Sequence, residues 1–412
     1  MLSNYVTNVQ TLERLRSGSS GVHLEGFTKW LASRQYSKET IRSYVFAASR
    51  FMNWCASSND CEIPQMPSHA GLEAYRVYLS RTNQAGKQMR DGGNGNCGAR
   101  RFLLFLCDAG LVPQSGQLIP PLELRFRSWM HQHRGACDST LAGYCRVIRL
   151  FLEVMGVEPR LYTAAQLRAF VLTQTHGYSR SKADTVVTAI RMFVRFLIAY
   201  QECADALQHA IPRVAGWRQD SLPRYLDPAD IERIIGGCDQ SQPLGARDRA
   251  VLLLLARLGL RAGDVASLCL EDVDWAQGRL QVSGKSRRVD WLPLPQDAGD
   301  AMLHYLTTAR PAVGGSAIFL IERAPYTPIK PKQVSSTAER AIRCAGVQSP
   351  SLGAHLFRHS AATAWLRQGM SLQAIGAVLR HRDVDTTALY AKVDVELLRQ
   401  IAQPWPVEVT PC

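Results

Sequence analysis

Apolar residues recur at three- and four-residue steps through the first half of the chain, as amphipathic helices require. Residues 40–52 form one such stretch, and Ser37 stands before it in the position of an N-cap. Residues 140–152 repeat the pattern, with Asp138 or Ser139 as the expected cap. Both stretches predict long helices with one buried face.

Each stretch is followed by a second helix of matching character, at residues 101–106 and again at 191–197. Two similar pairs in the same order favour an internal duplication over a chance likeness between amphipathic helices. The sequence therefore predicts two similar helical domains, over residues 1–115 and 122–212, joined by the proline-containing stretch between them.

A second linker is predicted at residues 212–228, which contain three prolines. Asp227 and Pro228 have the character of an N-cap and a first helical turn. Beyond them, residues 247–257 form a strongly apolar helix that should end near Gly259.

The hydrophobic period then changes from helical to alternating. Residues 279–283 alternate, residues 288–292 are β-prone, and the glycine-containing residues 284–286 lie between them, which predicts a hairpin. From residue 333 onward the pattern is helical again. We therefore expect a mainly α protein, with helical domains followed by an α+β domain at 222–412 that carries a small antiparallel sheet.

Charge narrows the class of partner. The chain has 412 residues and a formal net charge of +13, which favours a polyanion, with nucleic acid the usual candidate. Charge alone leaves DNA, RNA and acidic membrane surfaces open. No apolar run approaches the length of a membrane span, and the N-terminus lacks the pattern of a secretory signal, which predicts a cytoplasmic protein. The 11 cysteines include no C-x-x-C pair, so reduced thiols are favoured over disulfides or a metal site.

Six polar residues stand where a structural role is hard to supply. The first arginine follows an apolar helix, the lysine lies at the hairpin tip, and a histidine and an arginine three positions apart share a helix face. A second histidine follows another apolar run, and a tyrosine lies nine residues beyond it. These residues are Arg261, Lys285, His355, Arg358, His381 and Tyr390.

Together the six could break a phosphodiester without a metal ion. A tyrosine phenolate can attack phosphorus and leave again. Guanidinium groups can bind the non-bridging oxygens, a lysine can protonate the departing oxygen, and a histidine can move the tyrosine proton. Taken singly, Tyr390 could be a core tyrosine, Arg261 a helix C-terminal cap and Lys285 a solvated turn residue. Their combination favours catalysis.

Three segments carry a resemblance to a known family. Residues 258–264, 355–359 and 379–390 resemble the motif boxes of the tyrosine recombinase (phage integrase) family in order and spacing. Residues 222–400 are similar to its catalytic domain, and residues 122–212 to its core-binding domain. The implied fold is that of the DNA breaking-rejoining enzymes.

The resemblance also implies roles. Tyr390 would form a 3′-phosphotyrosine, two arginines would clamp the phosphate, the lysine would protonate the 5′-oxygen, His355 would assist proton transfer with the tyrosine, and His381 would hydrogen-bond the phosphate. Asp264 matches an acidic residue that orients the first arginine, although an ordinary surface acid is an equal alternative. No cofactor, ATP or metal would be needed. His359 and His304 are assigned structural roles.

The chain departs from the family pattern in a few places. Arg380 stands where the family usually has glycine, and Phe357 replaces a common leucine. Arg287 or Arg288 could crowd the phosphate next to the hairpin lysine. The largest departure is the segment 1–115, an additional domain of SAM-like or core-binding-like character and a candidate for binding DNA arms.

Double-stranded DNA is the expected partner. The family resemblance implies two protomers at each site and four in a synapse, with residues 122–212 and the catalytic domain on opposite faces of the duplex. Partner recombinases of the same mobile element remain an open alternative, and the tail after residue 393 could pack in cis or in trans. Basic residues that could equally solvate helix faces are the candidate DNA contacts: Arg42, Arg146, Arg180, Lys182, Arg287 and Arg288.

The predicted function is site-specific recombination of the integrase or transposase type. Two alternatives stay open: a type IB topoisomerase with the same phosphotyrosine chemistry, and a catalytically silent DNA-binding accessory protein of a mobile element. The sequence does not distinguish integration from excision, resolution or transposition, and it does not identify the target DNA or any accessory protein.

Overall fold

Helices make up most of the chain, and a small antiparallel sheet accompanies them, as the sequence predicted. The structure, a computed structural model, describes residues 1–18, 21–57, 67–84, 94–112, 119–213, 224–283, 289–381, 386–387 and 390. Two compact units emerge: Met1–Val112 and Ser221–Cys412 fall in one, and Pro113–Asp220 in the other. Within the described residues, no helix is both long and apolar enough to cross a lipid bilayer.

The N-terminal helices enclose a core of their own. They follow a short 3₁₀ turn at Leu2–Asn4 and are α1 (Val9–Ser17), α2 (Gly21–Ser33), α3 (Lys38–Ser57), α4 (His69–Gln84) and α5 (Asn94–Asp108). Apolar residues of α3, among them Ile41, Val45 and Phe51, are fully buried where α3 packs on α5. The Ser37 hydroxyl accepts a hydrogen bond from the Thr40 N–H at 3.2 Å, which caps α3 as expected.

A second set of helices forms the unit Pro113–Asp220. These are α6 (Pro121–Arg134), α7 (Asp138–Met155), α8 (Ala164–Thr175) and α9 (Arg180–Ala199), with 3₁₀ turns at Pro159–Leu161 and Asp205–Ala210. Its core is rich in phenylalanine: Phe126, Phe151, Phe193 and Phe196 are fully buried and meet mainly edge to face. Within this unit α7 packs on α9, as α3 packs on α5 in the N-terminal helices.

One cap prediction is wrong by one position. Helix α7 begins at Asp138 and its N-cap is Cys137, whose backbone is extended (φ −73°, ψ 155°). The Asp138 carboxylate instead accepts a hydrogen bond from Arg127 at 2.9 Å, so it does not act as the cap. A thiol at the N-cap is a weaker acceptor than the oxygen that the sequence suggested.

The remaining helices pack around one apolar helix. They are α10 (Pro228–Gly236), α11 (Pro243–Leu258), α12 (Ala262–Ser267), α13 (Gln296–His304), α14 (Pro331–Cys344), α15 (Ala354–Arg367) and α16 (Leu372–Leu379), with a 3₁₀ turn at Leu270–Asp272 and a π-helical turn at Tyr305–Ala309. Helix α11 contacts α10 and α12 to α15, and almost all of its apolar residues are buried because it is surrounded. It ends at Gly259, as predicted.

The sheet has three strands in the order β1 (Val273–Asp274), β2 (Arg279–Ser283) and β3 (Val289–Pro293), all antiparallel. Leu280 and Val282 of β2 point into the core, as the alternating pattern indicates. Ser283 pairs with Val289, so β2 and β3 form the predicted hairpin. The residues that join these strands, 284–288, lie outside the described part of the chain.

Candidate active site

The carbonyl ends of two helices hold a buried arginine at the centre of the site. Arg358 lies on α15 and is only 2% exposed. Its Nη1 donates to the Gly259 carbonyl after α11 at 2.6 Å, and its Nη2 donates to the Leu379 carbonyl at the end of α16. Helix C-termini carry partial negative charge, which favours a cation there. Desolvation, followed by the nearby Arg261 charge, lowers the pKa of Arg358 to about 10, so it remains charged at neutral pH.

Gly259 is required where α11 ends. Its backbone is left-handed (φ +58°), and an added Cβ would lie 2.8 Å from Leu379 Cδ2. Glycine adopts this conformation without a steric penalty, and here it also allows α16 to approach closely. The turn at Gly259 therefore places Arg261 at the start of α12, and the Gly259 carbonyl accepts the hydrogen bond from Arg358.

Arg261 lies beside an acidic residue and a third arginine. Asp264 accepts a hydrogen bond from the Arg261 main-chain N–H at 3.1 Å, and its carboxylate forms an ion pair with Arg380. The Arg261 Nη2 donates to the Arg380 carbonyl at 3.3 Å. Desolvation is the main cause that lowers the pKa of Arg261, and Asp264 opposes it. Asp264 thus contacts the backbone of Arg261, while its carboxylate is occupied by a different guanidinium.

The Tyr390 phenol is almost fully buried, at 2% exposure, in a small cluster with Leu379 and neighbouring apolar side chains. Its oxygen lies 2.9 Å from His359 Nδ1, and its ring is nearly parallel to that of His381 at a centroid distance of 6.4 Å. Burial raises the pKa of Tyr390, whereas the charges of Arg358 and Arg261 lower it. The phenol is therefore protonated in the folded protein and lies within the field of both guanidiniums.

Three histidines near Tyr390 are held in the neutral form. Desolvation lowers the pKa of His359 to about 4 and that of His381 to about 4, and neighbouring positive charge adds to the effect. His355, exposed on the first turn of α15, has its pKa lowered by the same causes. Its ring meets that of His359 edge to face at a centroid distance of 4.2 Å. His359 thus contacts both the Tyr390 hydroxyl and the His355 ring.

A threonine holds the His381 ring. The Nδ1 of His381 lies 2.8 Å from the Thr387 hydroxyl, which is buried. A Cβ on Gly376 would lie 3.0 Å from that hydroxyl oxygen, so the glycine provides its space. With Nδ1 engaged, the other ring nitrogen of His381 is left to meet a ligand.

The structure brings most of the predicted catalytic residues together. The charges of Arg261 and Arg358 act on His355, His381 and Tyr390, which places the five residues around one site. Lys285, with the candidate DNA contacts Arg287 and Arg288, lies in the segment outside the described residues.

The other candidate DNA contacts are exposed on helices. Arg42 lies on α3 and Arg146 on α7, while Arg180 and Lys182 lie in the first turn of α9. The Lys182 ammonium stands 3.6 Å above the Tyr178 ring, which orients it. Unlike the buried Arg358, all four side chains are accessible to a large ligand.

His359 and Thr387 are among the site residues that were not predicted from the sequence. His359 was assigned a structural role, yet it contacts Tyr390 directly. Its position four residues after His355, on the same helix face, was a signal that could have identified it. Thr387 had no such signal, because its role depends on how the chain returns beside α16.

Comparisons with known proteins show which family and which solved structures the chain is similar to. A family model described as the phage integrase family matches residues 224–396. A Sinorhizobium fredii protein, y4rA, named as an integrase/recombinase, is 33% identical over 96% of this chain and 97% of its own length. That alignment takes in the N-terminal helices. Tyrosine recombinase XerD of Vibrio vulnificus is 26% identical and covers 67% of this chain and 92% of its own length.

Solved structures share the fold. XerH recombinase bound to a palindromic difH substrate has a TM-score of 0.52 at 17% identity, over 88% of this chain and 95% of that chain. The Tn1549 transposon integrase in complex with circular intermediate DNA has a TM-score of 0.53 at 14% identity, over 67% of this chain and 99% of that chain.

Substitution of Gly259 by alanine should destabilise the protein by about 2–4 kcal/mol, because it adds both left-handed strain and a clash with Leu379. Gly278→Ala is the matched control: its φ is +59°, but an added Cβ meets nothing within 4 Å. We expect the control to lose about 1 kcal/mol. Chemical denaturation of both variants measures the difference, and equal losses would contradict the close approach at Gly259.

Stability should depend on pH through the partly buried His359. The folded pKa of His359 is about 4, below the ordinary value of roughly 6.5, so the unfolded state binds the proton first as pH falls. The free energy of unfolding should therefore be greatest above about pH 6.5 and decrease towards about pH 4. In His359→Gln this decrease should be shallower. Thermal unfolding across that range tests it, and parallel curves for the two proteins would refute the assignment.

Proposed function

The chain belongs to the phage integrase family, and from that premise we propose that it is a site-specific recombinase that cuts and rejoins DNA through a covalent bond to Tyr390. The observation that carries the proposal is the buried Tyr390 phenol, 2.9 Å from a neutral histidine and within the field of two guanidiniums. A phenol buried only for packing would need neither partner.

In the proposed reaction, the Tyr390 oxygen attacks a phosphorus atom of the DNA backbone. A phosphorus–oxygen bond to tyrosine forms, and the bond to the 5′-oxygen breaks, which leaves a 3′-phosphotyrosine and a 5′-hydroxyl. Reversal with a different 5′-hydroxyl joins new strands, and the ester preserves the bond energy. Lys285 is proposed as the acid that protonates the leaving 5′-oxygen.

Arg261 and Arg358 would bind the non-bridging oxygens of the phosphate. Their charges repel one another in the protein, and the charge of Arg261 lowers the pKa of Arg358. A phosphodiester supplies the missing negative charge, and more of it develops in the transition state, where fixed donors act most strongly. Asp264 supports the turn that presents Arg261, and His381 would donate its remaining ring N–H to the same phosphate.

We propose that His359 is the first acceptor of the Tyr390 proton. The direct contact between Tyr390 and His359 favours His359 over His355, because His355 contacts the His359 ring. A neutral His359 with an unprotonated Nδ1 accepts the phenol proton, and His355 can pass it towards solvent. This revises the role that family resemblance gives to His355, and retains that residue as the next member of the chain.

The partner is proposed to be double-stranded DNA. Support comes from the net charge of +13 and from the recombinase structures with DNA that share the fold. Exposed basic residues on α3, α7 and α9 would contact phosphates, with residues 122–212 acting as a core-binding domain and 1–115 binding further DNA. Two protomers at each site and four in a synapse are part of the proposal, as is action within a mobile element.

Capture of covalent adducts tests the proposal and does not require a defined target sequence. The protein is incubated with nicked duplexes that carry a randomised central region, and DNA that stays attached in detergent is recovered and sequenced. We expect wild-type protein to enrich a defined site and Tyr390→Phe to yield no adduct. Adducts without sequence preference would indicate a topoisomerase, and DNA binding without any adduct would indicate a silent accessory protein.

The two histidine variants should differ in a single-turnover cleavage assay on the enriched duplex. His359→Gln is expected to slow adduct formation by about 10²-fold, because it removes the group in contact with the phenol. His355→Gln should slow it less. The loss in His359→Gln should shrink as pH rises, since hydroxide can then remove the proton. A larger loss in His355→Gln would return the primary role to that residue.

A further inference from the structure

Helix α16 ends in a residue whose backbone conformation suits glycine. Arg380 has φ 54° and ψ 49°, in the left-handed region. Among the described residues, the other non-glycine positions with positive φ are Gln35 and Gln201, and both are exposed. The Arg380 side chain is only 7% exposed. An arginine that is both strained and buried needs a compensating role.

The contacts of Arg380 join three parts of the site. Its Nη2 forms the ion pair with Asp264, whose side chain is 8% exposed. Its Nη1 donates to the Val282 carbonyl on β2 at 3.4 Å, just before the segment that contains Lys285. Its own carbonyl accepts from Arg261 Nη2 at 3.3 Å. Arg380, which immediately precedes His381, therefore contacts both the strand that leads to Lys285 and the turn that carries Arg261.

Packing alone does not account for this arginine. Its Nε is buried and has no hydrogen-bond partner among the described residues, which is a cost that a purely structural side chain would avoid. Glycine at this position would remove both the strained backbone and the unpaired donor. The contacts of Arg380 with Asp264 and Arg261 are the interactions that can offset these two costs.

Competition for the Asp264 carboxylate suggests how Arg380 contributes to the site. The carboxylate already lies within 3.1 Å of the Arg261 main-chain nitrogen. Asp264 already acts electrostatically on the Arg261 guanidinium and raises its pKa against the larger effect of desolvation. Without Arg380 the two could pair, and a carboxylate pairs with a guanidinium through the same donors that bind a phosphate. A paired Arg261 would have to break that ion pair before it could bind DNA.

We propose that Arg380 is a positioning residue that occupies the Asp264 carboxylate and holds Arg261 by its carbonyl, so that the Arg261 guanidinium stays available for the scissile phosphate. The inference rests on the proposed function, because it concerns how a phosphate is received. In this proposal Arg380 acts on Asp264 and Arg261 within the protein and does not contact DNA itself.

Arg380→Gly tests the proposal on the duplex enriched by adduct capture. Cleavage should slow by about 10²-fold, the effect of a misplaced phosphate ligand, while equilibrium affinity for the duplex changes little. Arg380→Lys should retain part of the rate. The control Gln201→Gly relieves a similar backbone (φ 56°) at an exposed site and should cleave like wild type. Wild-type cleavage by Arg380→Gly would overturn the proposal.

A rescue variant separates control of the acid from general damage. In Arg380→Gly with Asp264→Asn, the competing charge is gone but the amide oxygen can still accept from the Arg261 N–H. We expect the double variant to cleave about tenfold faster than Arg380→Gly, a coupling typical of residues in contact. A double variant slower than Arg380→Gly would contradict competition for Arg261.

Thermal unfolding gives a readout that does not require cleavage. The Tm shifts of Arg380→Gly, Asp264→Asn and the double variant should be non-additive, because either single change removes the same ion pair. Additive shifts would disprove the pairing on which the inference depends. If wild type forms no adduct, the proposed function fails, whereas non-additive Tm shifts would still establish the ion pair.

Discussion

The fully buried guanidinium of Arg358 is the interaction on which the site depends. A buried cation is tolerated only when its donors are satisfied, and here two carbonyls at helix ends satisfy them. Those carbonyls belong to Gly259 and Leu379, each two residues before another member of the site, Arg261 and His381. The contacts that satisfy the buried Arg358 therefore also fix the two chain segments that carry Arg261 and His381.

Desolvation has opposite consequences for the different groups around Tyr390. It keeps the phenol protonated and the histidines neutral, and it lowers the pKa of Arg358 without discharging it at neutral pH. The resting site therefore holds excess positive charge next to neutral proton acceptors. In the proposed reaction a phosphodiester would supply the missing negative charge and would relieve the repulsion between the guanidiniums.

The helical part of the molecule repeats one arrangement. Helix α3 packs on α5 in the N-terminal helices, and α7 packs on α9 in the unit Pro113–Asp220. Each pair buries an apolar face and leaves arginines such as Arg42 and Arg146 exposed. The y4rA relative aligns along 96% of the chain, including the N-terminal helices, whereas XerD covers 67% of it.

By itself the sequence determined the mainly helical fold, the hairpin, the end of α11 at Gly259 and the family, because periodicity, capping residues and motif spacing are local properties. It left the partners of each side chain open. Only the tertiary structure decided that His359 rather than His355 contacts Tyr390, that Thr387 holds His381, and that Asp264 pairs with Arg380. These contacts join residues up to 116 positions apart. Such pairings depend on how helices pack and on which polar groups must be satisfied once water is excluded, and neither is encoded in local spacing.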